Sequence, residues 1–240
     1  MSQLPESSFK ALTLAEEQIA DLDLQLLKRQ LRVTETPCDT KALVSNRELK
    51  AFCSNDYLGL ANHPKITEAL AEGVRKYGAG SGASHLISGH HAAHDLLEKQ
   101  LAAFQTAHIP NCRSLFFSTG YLANLTAITG LARLAPRGNV SIYSAKLNHA
   151  SLIDGVRLAS AQTNANVTLF DHTQPELLLK DLQKDSKALK LIVTDAVFSM
   201  DGDVAPVKKL LSIAEQCDAL LLLDDAHGFG VLGQQGHGVL

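Results

Sequence analysis

The sequence has 240 residues, of which 45% are hydrophobic and 20% are charged, and it contains 16 glycines. This composition is typical of a globular protein with a sizeable core, and it excludes a disordered chain, a collagen-like repeat and a coiled coil. Lysine and arginine total 22 against 25 for aspartate and glutamate, a formal net charge of −3, so no basic excess points to nucleic acid as a partner.

The sequence predicts neither a membrane span nor a secretory signal. Its longest aliphatic run, Ala219–Leu223, is far shorter than the ~20 residues that a spanning helix needs. The N-terminus carries early acidic residues and no apolar stretch. The four cysteines, Cys38, Cys53, Cys112 and Cys217, lie far apart, so we expect reduced, mostly buried thiols in a cytoplasmic protein and no structural zinc site.

The first 77 residues predict two helices separated by a connector and a short strand. Apolar residues at helical spacing predict a helix within residues 12–34, and residues 35–50 resemble a connector followed by a short strand that ends in Ala51 and Phe52. A second helix is predicted over 64–77, because Pro64 suits a first helical turn and Gly78 suits the position just after a helix.

Beyond residue 78, short apolar strands alternate with amphipathic helices. Strands are predicted at 115–117, 139–143, 166–170, 190–194 and 219–223. Helices are predicted around Leu96–Phe104 and at about 121–134, 151–160, 175–185 and 206–217. This alternation predicts an α/β fold with a mostly parallel sheet and helices on both faces. Ligands of such sheets gather at the carboxyl ends of strands, which directs attention to the loops 118–121, 195–199 and 224–228.

Two of these loops carry groups suited to chemistry. Ser118–Gly120 leads from a predicted strand directly into a helix, whose N-terminus suits a phosphate, although a plain capped turn explains the same residues. Asp224, Asp225 and His227 follow four leucines of a predicted buried strand. A buried carboxylate there needs a cationic partner, and the protonated ring nitrogen of a cofactor, Mg²⁺ and Zn²⁺ are candidates beside a purely structural helix cap.

The histidines leave more alternatives open. His149 follows another strand, where it can stack on a ring, transfer a proton, bind a metal or cap the next helix. His90, His91 and His94 include a pair at metal-like spacing, but the glutamate of H-E-x-x-H is absent and an exposed helix face explains them. The loop Gly78–Gly89 lacks the G-x-G-x-x-G spacing, and the sequence contains no P-loop and no nucleophile elbow. We therefore predict no metal site.

Taken together, the motifs resemble those of the α-oxoamine synthases, enzymes of the aspartate-aminotransferase-like fold that depend on pyridoxal 5′-phosphate (PLP). The matching stretches lie in order over residues 20–240: Cys53–Leu60, Gly78–Gly89, Ser118–Asn124, Asn148–Ser151, Val197–Asp203 and Asp224–Gly228. The resemblance implies an N-terminal helix, connector and short strand over 1–50 and a PLP-binding large domain over 51–240.

The resemblance also implies how the cofactor is held. Asp224 would pair with the pyridine nitrogen and keep it protonated, so that the ring can absorb carbanion charge. His227, supported by Ser199, would hydrogen-bond the phenolic oxygen of the ring. His149 would lie over the ring face, and it joins Asp224 and His227 as the implied catalytic residues.

Further implied roles concern the phosphate and the substrates. Gly120 and Tyr121 would hold the phosphate and the other ring edge. Arg29, Asn55 and His149 fall where the family contacts substrate, and an arginine suits a carboxylate. The loop 224–233 is most similar to the biotin-pathway branch, which implies condensation of L-alanine with a pimeloyl thioester, on CoA or a carrier protein, with loss of CO₂. A homodimer is expected of the complete protein.

The sequence departs from the family at its C-terminal end. The lysine that holds PLP covalently follows one strand after the Asp-x-x-His motif, yet no lysine lies between His227 and Leu240. Lys208 and Lys209 fall on a helix face turned away from the strand ends, and His85 stands where relatives often have arginine or glycine. We therefore expect an inactive N-terminal fragment without the family's small C-terminal domain.

Three alternatives stay open from the sequence. The first is a catalytically inactive partner subunit of an oligomer, since some members of the family pair an active chain with one that lacks the lysine. The second is another α-oxoamine synthase, one that uses glycine. The third is a metal-dependent hydrolase built on Asp224, Asp225 and His227.

Overall fold

The computed structural model describes residues 9–106 and 108–239. The chain divides into two compact units, one ending at Thr67 and the other beginning at Glu68. None of the helices formed by the described residues is both long and apolar enough to cross a membrane.

The first unit contains a helix and a β-hairpin. Helix α1 spans Lys10–Leu24 and ends before the predicted boundary, because Leu26 adopts a left-handed conformation (φ +58°) that interrupts the helix. Strands β1 (Lys41–Val44) and β2 (Arg47–Lys50) pair antiparallel, where the sequence predicted a single strand. The two residues between the strands have positive φ angles of 48° and 61°, which matches a tight hairpin turn.

Two helices and a single π-helical turn follow the hairpin. Helix α2 spans Pro64–Tyr77, as predicted from its proline and the following glycine. A π-helical turn over His85–Gly89 then leads into α3 (Ala92–Gln105). The strand predicted at 115–117 is wrong, because this segment has no strand pairing among the described residues and the N–H of Phe116 instead donates to the Glu98 side chain at 2.9 Å.

The second unit is built on a four-stranded parallel sheet. Its strands are β3 (Val140–Ala145), β4 (Asn166–Phe170), β5 (Leu189–Asp195) and β6 (Leu220–Asp224). Its helices are α4 (Gly120–Ala132), α5 (Ala150–Thr163), α6 (Pro175–Lys184) and α7 (Val207–Gln216). A short 3₁₀ turn over Gln234–Gly236 follows the last strand. The other four predicted strands of this region are confirmed.

Successive residues of the central strands serve two separate cores. Ile142 packs in a cluster with buried residues of α4 and α5, while its neighbour Tyr143 packs in a cluster with residues of α6 and α7. This alternation follows from the two-residue period of a strand. The predicted α/β fold with helices on both faces of a parallel sheet is therefore confirmed.

The strand order β4-β3-β5-β6 creates a switch in the direction of the chain. After β3 the chain continues into α5 on one face, whereas after the neighbouring β5 it continues into α7 on the other face. Loops that diverge in this way leave a crevice at the carboxyl ends of the two strands, which is where open α/β sheets bind ligands.

The cysteines only partly match the prediction. Cys217 is buried and Cys112 is half-buried, but Cys38 and Cys53 are exposed, so the prediction of mostly buried thiols is wrong. Both exposed residues lie near the hairpin of the first unit, where Cys38 Sγ is 3.3 Å from Ser54 Oγ. Within the described residues the four cysteines are free thiols.

Candidate active site

Two aspartates meet where the central strands end. Asp195 is the last residue of β5 and Asp224 the last residue of β6, and the parallel register places them side by side. The main chain continues this pairing, since the N–H of Ala196 donates to the Asp224 carbonyl at 2.8 Å. The site therefore has two carboxylates at its base, of which the sequence pattern singles out only Asp224.

Asn124 of α4 joins Asp224 to α5. Its amide Nδ2 donates to Asp224 Oδ2 at 2.6 Å and to Ser151 Oγ at 2.9 Å. The N–H of Ala226 donates to the other carboxylate oxygen of Asp224 at 3.0 Å. With both oxygens bonded, the half-buried carboxylate is fixed in one orientation at the mouth of the crevice.

A glycine allows α4 and α5 to approach closely enough for this contact. A Cβ atom on Gly155 would lie 2.8 Å from Ile128 Cδ1 and 3.5 Å from the Asn124 carbonyl oxygen. Real Cβ atoms essentially never reach the shorter of these distances, so with a side chain at 155 the fully buried Ile128 would have to shift. The glycine thus leaves room for Ile128 where α4 packs on α5.

His149 caps α5 and is tied to both aspartates through neighbouring groups. Its Nδ1 accepts from the Ser151 N–H at 3.2 Å and lies 2.7 Å from Ser151 Oγ. Because the Ser151 N–H donates to Nδ1, this nitrogen is an acceptor, and the proton of a neutral imidazole lies on Nε2. The main-chain N–H of His149 donates to Asp195 Oδ2 at 2.6 Å. The capping role considered from the sequence is present and it also orients the ring.

Asp195 is the most perturbed acid of this edge. It is 5% exposed, and burial raises the pKa of its carboxyl to about 6. The bond from the His149 N–H opposes this rise, the Asp224 carboxylate reinforces it, and the imidazoles of His149 and His227 oppose it. His227 therefore acts on the same charge cluster as His149 and Asp224.

Buried Asn148 fixes the loop that carries His149. Its Nδ2 donates to the Val193 carbonyl at 2.9 Å and to Ser144 Oγ at 3.0 Å, while its Oδ1 accepts from the Asp195 N–H at 3.0 Å. The loop after β3 is thereby joined to the end of β5 across the switch in chain direction. Asn148 and Asp195 are therefore positioning residues, a role that the sequence pattern does not indicate.

The N-terminus of α4 is shaped as predicted. Thr119 caps the helix, since its side chain accepts from the Leu122 N–H at 3.1 Å. The N–H groups of a first helical turn have no partner inside the helix, so Gly120 and Tyr121 offer donors to an anion. The Tyr121 hydroxyl donates to Asp154 Oδ2 at 2.7 Å, and this bond raises the pKa of the phenol.

The remaining predicted residues lie in loops. Ser199 is exposed in a turn that the Gly202 N–H closes by donating to the Phe198 carbonyl at 2.8 Å. Arg29 and Asn55 belong to the first unit, where both are exposed outside helices and strands.

Asp225 lies next to Asp224 in the chain but has different contacts. Its Oδ2 accepts from the Val239 N–H at 3.1 Å, and burial raises its pKa. Its Oδ1 is buried without a hydrogen-bond partner. Asp224 and Asp225, two residues of the hydrolase alternative, therefore bond to different parts of the chain.

The strand-end cluster of Asp224, His149 and Asn124, with the α4 N-terminus in the same unit, fits an anionic aromatic cofactor. An oriented carboxylate suits a protonated ring nitrogen, an exposed imidazole suits a ring face, and a helix N-terminus suits a phosphate. The donor set thus matches the chemistry of PLP, which is held by such groups.

Comparisons with known proteins agree with this assignment. A family model described as "Aminotransferase class I and II" matches residues 48–239. An 8-amino-7-oxononanoate synthase 2 of Polaromonas sp. is 54% identical over 223 residues, which cover 91% of this chain and 53% of the relative. An 8-amino-7-oxononanoate synthase of Burkholderia thailandensis is 52% identical over 225 residues, which cover 94% and 55%. The chain therefore spans about half the length of the curated relatives it matches.

Solved structures show the same fold. A serine palmitoyltransferase from S. paucimobilis with a bound PLP–myriocin aldimine matches with a TM-score of 0.80 at 29% identity, over 98% of this chain and 58% of that one. An 8-amino-7-oxononanoate synthase from Francisella tularensis matches with a TM-score of 0.60 at 32% identity, over 78% and 48%.

Proposed function

This chain belongs to the aminotransferase class I and II family, and we propose that it forms the PLP-binding part of an 8-amino-7-oxononanoate synthase. The proposed reaction is the decarboxylating condensation of L-alanine with a pimeloyl thioester in biotin biosynthesis, carried out by a cytoplasmic homodimer. The observation that carries the proposal is the bonded chain Asp224–Asn124–Ser151–His149 at the switch in chain direction.

Asp224 is proposed to hold the pyridine nitrogen of the cofactor. Bound PLP supplies an electron sink for a carbanion next to an amino group, and that sink works best when the ring nitrogen is protonated. Asn124 and the Ala226 N–H keep the Asp224 carboxylate in one orientation, so the charge is in place before the cofactor arrives. A charge-assisted hydrogen bond of this kind contributes about 1.5–3 kcal/mol.

His149 is proposed to lie against the ring face and the substrate. Ser151 holds Nδ1, which leaves the Nε2 proton on the exposed side of the ring. His227 and Ser199 are proposed to bond the phenolic oxygen, and the N–H groups of Gly120 and Tyr121 to receive the phosphate. Support for the last assignment is the capped, exposed start of α4.

The substrate contacts are proposed for exposed residues of the first unit. Arg29 offers a planar fork of donors that suits a carboxylate, and Asn55 offers an amide donor and acceptor. Both residues are exposed and are therefore accessible to a substrate.

The catalytic activity is proposed for the whole protein. The covalent lysine that the resemblance implies does not lie between His227 and Leu240. Lys208 and Lys209 are exposed on α7, whose buried side packs in the core. Neither is proposed to replace that lysine.

The test uses the protein isolated at its natural length and supplied with PLP. It is incubated with a pimeloyl thioester and either L-alanine or glycine, each labelled with ¹³C at the carboxylate carbon. We expect labelled CO₂ and the nine-carbon oxoamine from L-alanine, and loss of both products in Asp224→Ala. No turnover of either amino acid, or turnover of glycine alone, would contradict the proposal.

A further inference from the structure

Four histidines cluster around the start of α3, and the proposed PLP site uses none of them. The ring centroids of His85 and His90 are 4.4 Å apart, those of His85 and His94 are 5.2 Å apart, and those of His90 and His94 are 5.8 Å apart. The ring of His91 lies 6.0 Å from that of His94. Imidazole nitrogens are common ligands of transition-metal ions, so a cluster of this kind is a candidate metal site.

A π-helical turn brings two of these histidines into contact. The Gly89 N–H donates to the Ser84 carbonyl at 3.0 Å, which closes a five-residue turn between His85 and His90. A Cβ atom on Gly89 would lie 2.1 Å from the Ala83 carbonyl oxygen, so only glycine fits. The turn places His90 Nδ1 and His85 Nε2 in direct hydrogen-bond contact.

The four imidazoles divide into two pairs by their bonds. His94 Nδ1 accepts from the His91 N–H at 3.0 Å, and His91 Nε2 lies 3.3 Å from the Ser81 carbonyl oxygen. These two rings serve the backbone at the start of α3. His85 and His90 instead present ring nitrogens to each other on an exposed surface.

Glu98 of α3 adds a carboxylate to the exposed pair. One ligand atom from each of His85, His90 and Glu98 can be chosen so that all three lie within 4.8 Å of one another. Glu98 is half-buried, and its Oε1 accepts from the Phe116 N–H at 2.9 Å. Because a carboxylate has two oxygens, this bond fixes the side chain while the second oxygen can bind a cation.

We propose that His85, His90 and Glu98 form a binding site for a divalent transition-metal ion of the zinc type. Two imidazoles and one carboxylate are a ligand set that zinc takes in tetrahedral geometry, with water in the fourth position. Imidazole ligands favour such ions over Mg²⁺ and Ca²⁺, which prefer oxygen. The metal replaces protons on the two rings, so binding weakens as the pH falls below the ordinary histidine pKa of ~6.5.

The test measures zinc binding by competition with a chromophoric chelator, using tag-free protein of natural length. We expect one Zn²⁺ per chain at pH 7.5, affinity at least about tenfold lower at pH 5.5, and no displacement of Zn²⁺ by millimolar Mg²⁺. Glu98→Gln and His90→Gln are each expected to weaken this binding by at least about tenfold. His63→Gln, in the first unit, serves as the matched histidine control and is expected to bind like the parent.

Glu98→Gln is the decisive variant, because its side-chain oxygen can still accept from the Phe116 N–H and preserve the local fold. Far-ultraviolet circular dichroism checks that it and His90→Gln are folded. The proposal is overturned if the parent shows no saturable site, if both variants bind zinc as tightly as the parent, or if His63→Gln weakens binding equally.

Discussion

Replacing the buried carboxylate of Asp195 tests the electrostatics of the strand-end site. Burial raises the pKa of this group from 3.8 to about 6, with Asp224 beside it. A raised pKa means that ionisation destabilises the folded state. The contribution of the neutral Asp195 carboxyl to the free energy of unfolding is therefore complete below pH 3.8. It is lost as the pH rises to 6 and above.

The size of this loss follows from linkage. Each unit by which the pKa differs between folded and unfolded chains corresponds to about 1.4 kcal/mol, so the full difference for Asp195 is about 3 kcal/mol. At pH 4.5 the folded state has already lost about 1 kcal/mol of this stabilisation. About 2 kcal/mol remains to be lost between pH 4.5 and 7.5. Asp195→Asn keeps an oxygen that can accept from the His149 N–H but cannot ionise.

The assay is urea unfolding of both proteins across this pH range. The free energy of unfolding of Asp195→Asn minus that of the parent should increase by about 2 kcal/mol from pH 4.5 to 7.5. Asp218→Asn, which replaces an exposed aspartate, controls for the general effect of removing one charge. A difference that stays flat, or that decreases with pH, would refute the reasoning.

Three further substitutions test the packing and capping of the site. Gly155→Ala should lower the free energy of unfolding, measured in urea, by about 1–3 kcal/mol, because the added methyl group clashes with Ile128. Gly130→Ala is the control: position 130 of α4 has open space around it, so this substitution should be neutral or stabilising. Thr119→Ala should lower the free energy of unfolding by about 1 kcal/mol through loss of the α4 cap, and equal stability would refute the cap. Asn148→Leu should cost at least about 2 kcal/mol because it leaves buried main-chain groups unpaired, and a smaller loss by the same assay would contradict that role.

The sequence predicted those parts of the fold that local chemistry determines. Helix α2 was predicted to the residue because Pro64 and Gly78 mark its two ends. The four strands of the sheet were predicted because each is a short apolar run between helical patterns. The segment 115–117 is equally apolar yet forms no strand, because strand formation depends on a pairing partner that the sequence does not display.

The same limit applies to the site. Asp224 was found because an acid directly after four leucines is conspicuous, and His149 because it follows a predicted strand. Asp195 also ends a predicted strand, but its importance comes from the register that sets it beside Asp224. The role of Asn124 depends on how closely α4 approaches α5, which is a property of tertiary packing.

The histidine cluster shows a different reason for failure. His90, His91 and His94 were predicted on one exposed helix face, but His90 and His91 precede α3, and His91 caps it. The contact of His85 with His90 needs a π-helical turn, whose five-residue spacing matches neither a helix nor a strand pattern.

The central claim is that Asp224 anchors the ring of a pyridoxal-type cofactor. The most direct measurement is calorimetric titration of the protein with pyridoxamine 5′-phosphate, an amine that cannot form the covalent bond to lysine. The account predicts saturable binding of one molecule per chain, weakened at least about tenfold in Asp224→Asn and little changed in the neighbouring Asp225→Asn. An absence of saturable binding, or equal weakening by both substitutions, would contradict it.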